Sequence, residues 1–231
     1  MKIKSVVLAF SMVSFSPGIF AQADVQETIG MIKKNLTESK EKIKHYEWIE
    51  TTTTSLKGED KSVKQNQCYY SVDGKLTKVA TGATTEPAKT PGGLRGKVVA
   101  NKKEDMAEYI KACVAKIQTY LPPDGAKLQQ IYAGGKATIQ VLEPGKKFKL
   151  SFPDYNVKGD MLSISVDKAN QKIMAVDVNT YIDDAAQKVV FNVTYSDLPD
   201  GTQYQNTTTL DAQAKELKIV IANSGYKKAG K

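Results

Sequence analysis

Downstream of Gly135, apolar and polar residues alternate almost without interruption. Ile139 and Val141 open the series, and Phe148, Leu150 and Phe152 follow a Pro144-Gly145 turn. Next come Leu162, Ile164 and Val166, then Met174, Val176 and Val178, then Val189, Phe191, Val193 and Tyr195. Leu217, Ile219 and Ile221 close the run after a "PDGT" turn and a Thr-rich stretch, Gln203 to Leu210. Period two places successive side chains on opposite faces of a strand. Short strands with turn chemistry between them predict an antiparallel meander, one face apolar and the other built of Lys, Thr, Ser, Asp and Gln. The polar stretch Gln203–Leu210 reads as an exposed edge, open to strand addition.

The first half of the chain has a different period. Val25, Ile29, Ile32, Leu36 and Ile43 recur at helical steps and predict an amphipathic helix over about Asp24–Lys44, with Glu38 and Lys42 paired on its outer side. "HYEWIETTTTSLKG" then suits a strand, and Ser62–Ser71 a second. "VDGK" supplies a hairpin turn, with a return over Lys75–Ala80. "TGATTEPAKTPGG" is a loop by composition. Asn101 is positioned to cap a second helix whose stripe is Met106, Ile110, Cys113, Ile117 and Leu121, stopped by Pro122-Pro123. A shorter helix, about Asp124–Ala133, ends at Gly134-Gly135.

An apolar sheet face of this extent has to be covered, and the helices are the covers available. The expected fold is α+β: a curved antiparallel sheet, a half-barrel meander, wrapped over two or three helices. Each buried Leu, Ile, Val or Phe contributes roughly 1.5–3 kcal/mol before entropy. Such a core does not require a disulfide.

The opening residues change the picture of where the chain works. Lys2 and Lys4, the apolar run Val6–Phe15 and the small residues of Ala21-Gln22-Ala23 have the layout of a secretory signal peptide. Its apolar core is far shorter than the roughly 20 residues of a bilayer span. Residues 1–23 are read as this leader and residues 24–231 as one domain. The expected location is the periplasm, or the extracellular space, with no transmembrane segment in the mature chain. Losing Lys2 and Lys4 lowers the formal charge from +8 to +6. Arg95 is the only arginine, so a nucleic-acid partner is not expected. In an oxidising compartment Cys68 and Cys113 can be read as a disulfide closing a loop of about 45 residues, worth roughly 4 kcal/mol. The alternative is a pair of buried thiols, since Cys113 lies on an apolar helix face.

Candidate chemistry is sparse. His45 is the only histidine, which excludes His-rich metal centres and most His-based triads. "PGGLRGKV" misses the phosphate-loop spacing by one residue and has Val98 where Ser or Thr would bind magnesium. Asp183 and Asp184 are too few for a calcium site. No catalytic residue, metal or cofactor is assigned. What remains is apolar surface: Trp48, one of the two neighbours Tyr69 and Tyr70, and the inward positions of the meander. The expected ligand lining is Trp48, Tyr69, Phe148, Leu150, Phe152, Leu162, Ile164, Val176 and Phe191.

The order of elements, with "LSISVDKANQKIMAVDV" and then "VVFNVTYSDLPDG", resembles the periplasmic lipoprotein-carrier family, the LolA/LolB-like fold. The resemblance covers most of residues 24–231 as a pattern of elements and turns. It implies a half-barrel with helices in its concave face, used for lipoprotein carriage, reception or sensing. Carriers of that family share an arginine in the early strands, and Asp24–Leu94 has none. The expected function is a non-catalytic exported protein holding a hydrophobic ligand, a lipid or a lipidated protein's acyl chain, between sheet and helices. The alternative is a protein–protein or sensor module on the same fold.

Overall fold

The computed structural model describes residues 22–82 and 93–230. The expected leader falls almost wholly outside them, as do residues 83–92 of the Thr/Pro/Gly loop. Helix α1, Gln22–Lys42, runs through a single 3-10 turn, Ile43–His45, into strand β1, Tyr46–Leu56. Strands β2, Glu59–Tyr70, and β3, Leu76–Ala80, follow. Helices α2, Gly93–Gln118, and α3, Gly125–Ala133, come next. The rest is strand: β4 Thr138–Glu143, β5 Lys147–Pro153, β6 Met161–Asp167, β7 Lys172–Tyr181, β8 Lys188–Asp197, β9 Gln203–Ala212 and β10 Leu217–Lys228.

All ten strands form one open antiparallel sheet in the order β3-β2-β1-β10-β9-β8-β7-β6-β5-β4. Every neighbouring pair but one is a sequential hairpin. The exception, β1 with β10, joins the two ends of the chain, with Leu56 opposite Leu217 and Tyr46 opposite Lys228. The edges are therefore β3 and β4, the two strands that flank α2 and α3 in sequence. Their connection must pass from one edge of the sheet to the other, and it does so across the apolar face. There Cys113, Ile117 and Tyr120 from α2 and its C-terminal end, with Leu128 of α3, bury against Phe148, Leu150, Phe152, Leu162, Ile164, Val166, Val176 and Val178. The result is the expected α+β architecture, a curved antiparallel sheet with helices against its apolar face.

The opposite face is polar, as the alternation required. Lys149 donates to Asp177 at 2.9 Å, Asn192 donates to the same carboxylate at 2.6 Å, and the Ser151 and Ser163 hydroxyls lie 2.8 Å apart. Asp124 caps α3, accepting from the Ala126 amide at 2.9 Å.

Four local expectations fail. Asn101 lies inside α2, which begins at Gly93; Leu94 to Ala100 contains no helix breaker, so nothing forces a start at Asn101. Met174 does not point into the core. A bulge sets Ser165 opposite Ala175 and Val166 opposite Ile173, leaving Met174 as the extra residue and Ile173 as the buried one, 4% exposed. Gln203–Leu210 is not an edge, because β9 is paired on both sides, by β8 and β10. Glu38 meets Lys34 at 4.0 Å rather than Lys42. Among the described residues, no helix is long and apolar enough to cross a membrane.

Candidate functional site

Cross-strand partners in register share a face, so the apolar face can be followed row by row. One row runs Val189, Ala212, Leu217, Leu56, Glu59 across β8, β9, β10, β1 and β2. The next runs Phe191, Leu210, Ile219, Thr54, Ser62, and the third Val193, Thr208, Ile221, Thr52, Lys64. Cover falls along each row. Val189 and Val193 are sealed, Ile219, Ile221, Leu56, Thr52 and Thr54 are half-buried, and Glu59 and Lys64 are exposed. Composition changes with cover, from Val and Leu through Thr to charge.

The half-covered zone has walls. Met106, Tyr109 and Ile110 of α2 and Leu36 of α1 are themselves only partly buried, and they pack against the same core as Phe191, Tyr195, Ile219 and Leu56. Helix α1 is held by polar contacts at two hairpins. Asn35 donates to the Gln171 carbonyl, and the Ser39 hydroxyl accepts from the Gln203 amide at 3.0 Å. The zone is thus a slot with a Val, Leu and Phe floor on one side and a Thr rim on the other.

Electrostatics keep the slot neutral. Burial pushes the Tyr195 and Tyr109 hydroxyls and the Cys113 thiol up from their ordinary values. The Tyr109 hydroxyl is buried with no hydrogen-bond partner among the described residues. Such a surface offers dispersion contact and a few hydroxyls, which suits an aliphatic chain better than a charged group. Among the described residues, no three His, Cys, Asp or Glu side chains gather where a metal could be held.

Beneath the slot's sealed end lies a polar lock. Asp160, 2% exposed, accepts from the Tyr120 hydroxyl at 2.5 Å and from the amides of Tyr155, Asn156 and Val157 at 2.5, 2.9 and 2.8 Å. The same Tyr120 hydroxyl is 2.8 Å from Thr180 Oγ1. Burial and the Asp160 carboxylate both raise the Tyr120 pKa, so the phenol stays protonated. This cluster pins the end of the helical arm to the β5–β6 loop and to β7. No sequence pattern announced it, since Asp160 reads as an ordinary loop acid.

The sequence-derived lining divides into three groups. Phe148, Leu150, Phe152, Leu162, Ile164 and Val176 come together, but as sealed core under α2 and α3. Phe191 lies at the boundary of core and slot. Trp48 belongs to a separate aromatic group: its ring stacks on Tyr226 at 5.4 Å, Tyr226 meets Tyr204 at 4.3 Å, and the indole donates to Asn223 at 3.1 Å. Tyr70, not Tyr69, packs on Trp48, at 6.0 Å. Cys68 is the cross-strand partner of Trp48, which places the adjacent Tyr69 on the other face. The disulfide is not formed. Cys68 sits in the Trp48 group and Cys113 in the α2 core, both as fully buried free thiols. Leu56, Ile219, Ile221, Met106 and Ile110 complete the slot, and the sequence-derived lining lacked them all. The alternation did carry Ile219 and Ile221, and the helical stripe carried Met106 and Ile110, but only the β1–β10 pairing brings them together.

No family model matches the chain, and no curated protein matches it. Among solved structures it is similar to a DUF1329 family protein from Desulfovibrio piger, with 10% identity, TM-score 0.34, 85% of this chain and 92% of that one covered. It is also similar to a LolA superfamily protein from Nitrosomonas europaea, with 10% identity, TM-score 0.37, and 87% and 94% covered. The architecture itself stands on the strand order and helix packing described above.

Proposed function

We propose that this chain is a non-catalytic, exported binding protein that takes an aliphatic chain, from a lipid or a lipidated protein, into the slot over β8, β9, β10 and β1. One observation carries the reading. Cover over the apolar face stops partway across a continuous sheet, so that Ile219, Ile221, Leu56 and Phe191 stay half-buried beside Met106 and Ile110. Half-covered aliphatic side chains gain about 25 cal/mol per Å² when a ligand removes them from water. The threonine rim tolerates water when the slot is empty. The sealed Phe148–Val178 side gives the slot a rigid wall.

The alternative, recognition by strand addition at Gln203–Leu210, loses its surface, because β9 is central. The test is displacement of a fluorescent fatty acid, with native mass spectrometry of protein purified without detergent. Saturable uptake is expected, and Thr54→Trp, which fills the slot from its exposed side, should reduce it at least tenfold with the circular dichroism unchanged. Absence of uptake, or equal uptake by Thr54→Trp, overturns the proposal.

A further inference from the structure

A second concavity lies at the rim of the same face, where α1 hands over to β1. It has a volume of about 420 Å³ and is lined by Lys42, Lys44, His45, Tyr46, Asp200 and Lys228, with the Ala229-Gly230 backbone. Two segments far apart in sequence build it. Lys42, Lys44 and His45 come from the end of α1 and the 3-10 turn, and Lys228 comes from the end of β10. Tyr46 and Lys228 are cross-strand partners, and the Ala229 amide donates to the His45 carbonyl at 2.9 Å, so the two segments are tied together.

The charges in this cleft are unequal. Its one carboxylate, Asp200, is occupied: it accepts from the Tyr46 hydroxyl at 2.7 Å and from the Thr202 amide at 3.0 Å. Lys44 is engaged by Glu41 at 2.6 Å. Lys42 and Lys228 have no ion-pair partner among the described residues, and both are exposed. Three ammonium groups and an imidazole therefore converge on a space larger than a few water molecules, opposed by one carboxylate already hydrogen-bonded elsewhere. Lysine ammonium groups serve as mobile point charges for phosphate oxygens, without the bidentate geometry of arginine.

We infer that this cleft binds a phosphate ester, with Lys42 and Lys228 supplying the charge from opposite sides and His45 a further donor. The ester could arrive free in solution or as the headgroup of a lipid. The inference holds whether or not an aliphatic chain occupies the slot, because none of the cleft residues lines that slot.

His45 is the only histidine, so its imidazole signals in a proton–carbon NMR spectrum report on this cleft alone. The probes are glycerol 3-phosphate, sodium chloride at matched ionic strength, and vesicles of pure phosphatidylcholine or with added phosphatidylglycerol. Saturable shifts of the His45 signals with glycerol 3-phosphate are expected, weakened at least tenfold in Lys42→Glu/Lys228→Glu. Binding to phosphatidylglycerol vesicles that the same double variant abolishes would identify a lipid headgroup as the source. Saturable shifts with glycerol 3-phosphate and no vesicle binding would identify a soluble ester. Shifts that rise linearly, that chloride reproduces, or that persist in the double variant overturn the inference. Thr54→Trp should leave the response unchanged, which separates failure here from failure of the slot.

Discussion

Replacing Asp160 by alanine tests how the helical arm is fixed to the sheet. The carboxylate accepts four hydrogen bonds, from the Tyr120 hydroxyl and from three successive backbone amides. Asp160→Ala leaves those donors without this acceptor in a site where Tyr120 is fully buried and Tyr155 is 2% exposed. A buried donor left unmade costs about 1–3 kcal/mol. The Asn156 and Val157 amides are only part-buried and can turn to water, and Tyr120 keeps Thr180. The expected loss is therefore about 3–5 kcal/mol, a large share of the roughly 5–15 kcal/mol that holds a domain folded. Tyr120→Phe removes one donor and leaves Asp160 its three amides, so it should cost about 1–2 kcal/mol. Urea unfolding followed by far-ultraviolet circular dichroism and by Trp48 fluorescence reads both variants. Losses for Asp160→Ala below about 1 kcal/mol, or no greater than for Tyr120→Phe, would refute the reasoning.

Three more expectations follow from particular contacts. Ile173→Ala should cost about 2–5 kcal/mol and Met174→Ala under about 1 kcal/mol, by the same urea assay, because the bulge buries the first and leaves the second half-covered; the reverse order would refute the register. Cys68 and Cys113, both with pKa raised chiefly by burial, should resist a thiol reagent in the folded protein and yield two titratable thiols in denaturant; a non-reduced mass lower by two hydrogens would contradict this. The Tyr46 hydroxyl, with the Thr202 amide, holds the Asp200 carboxyl down at about 2. A depressed carboxyl stabilises the fold in full above its unfolded value near 4, and that contribution is lost as pH falls toward 2. Tyr46→Phe should move the Asp200 midpoint up toward its ordinary value in a carbon-13 carboxyl titration, and an unmoved midpoint would refute the assignment.

Much of the fold was legible in the sequence, for identifiable reasons. Period-two alternation from Ile139 to Ile221 located seven strands, and the Met106–Leu121 stripe located the face that α2 buries. Both are local periodicities enforced by burial on one side. What failed depended on pairing across the chain or on one inserted residue. Gln203–Leu210 looked like an edge because threonines are polar, yet the ends of the chain meet when β1 pairs with β10, and this encloses β9. Met174 is apolar and in phase by count, and only a one-residue bulge turns it aside. The candidate site was half legible. The inward residues of β5, β6 and β7 were found, but full cover by α2 and α3 makes them core. The slot belongs to Leu56, Ile219 and Ile221, whose half-burial depends on where the helices stop.

The most direct measurement of the central claim is paramagnetic broadening of methyl NMR signals by a nitroxide-labelled fatty acid. The account predicts that Leu56, Ile219, Ile221 and Met106 broaden first, while Val141 and Leu142, exposed on edge strand β4, keep their intensity. Broadening centred on Val141 and Leu142, or no selective broadening at all, would contradict it.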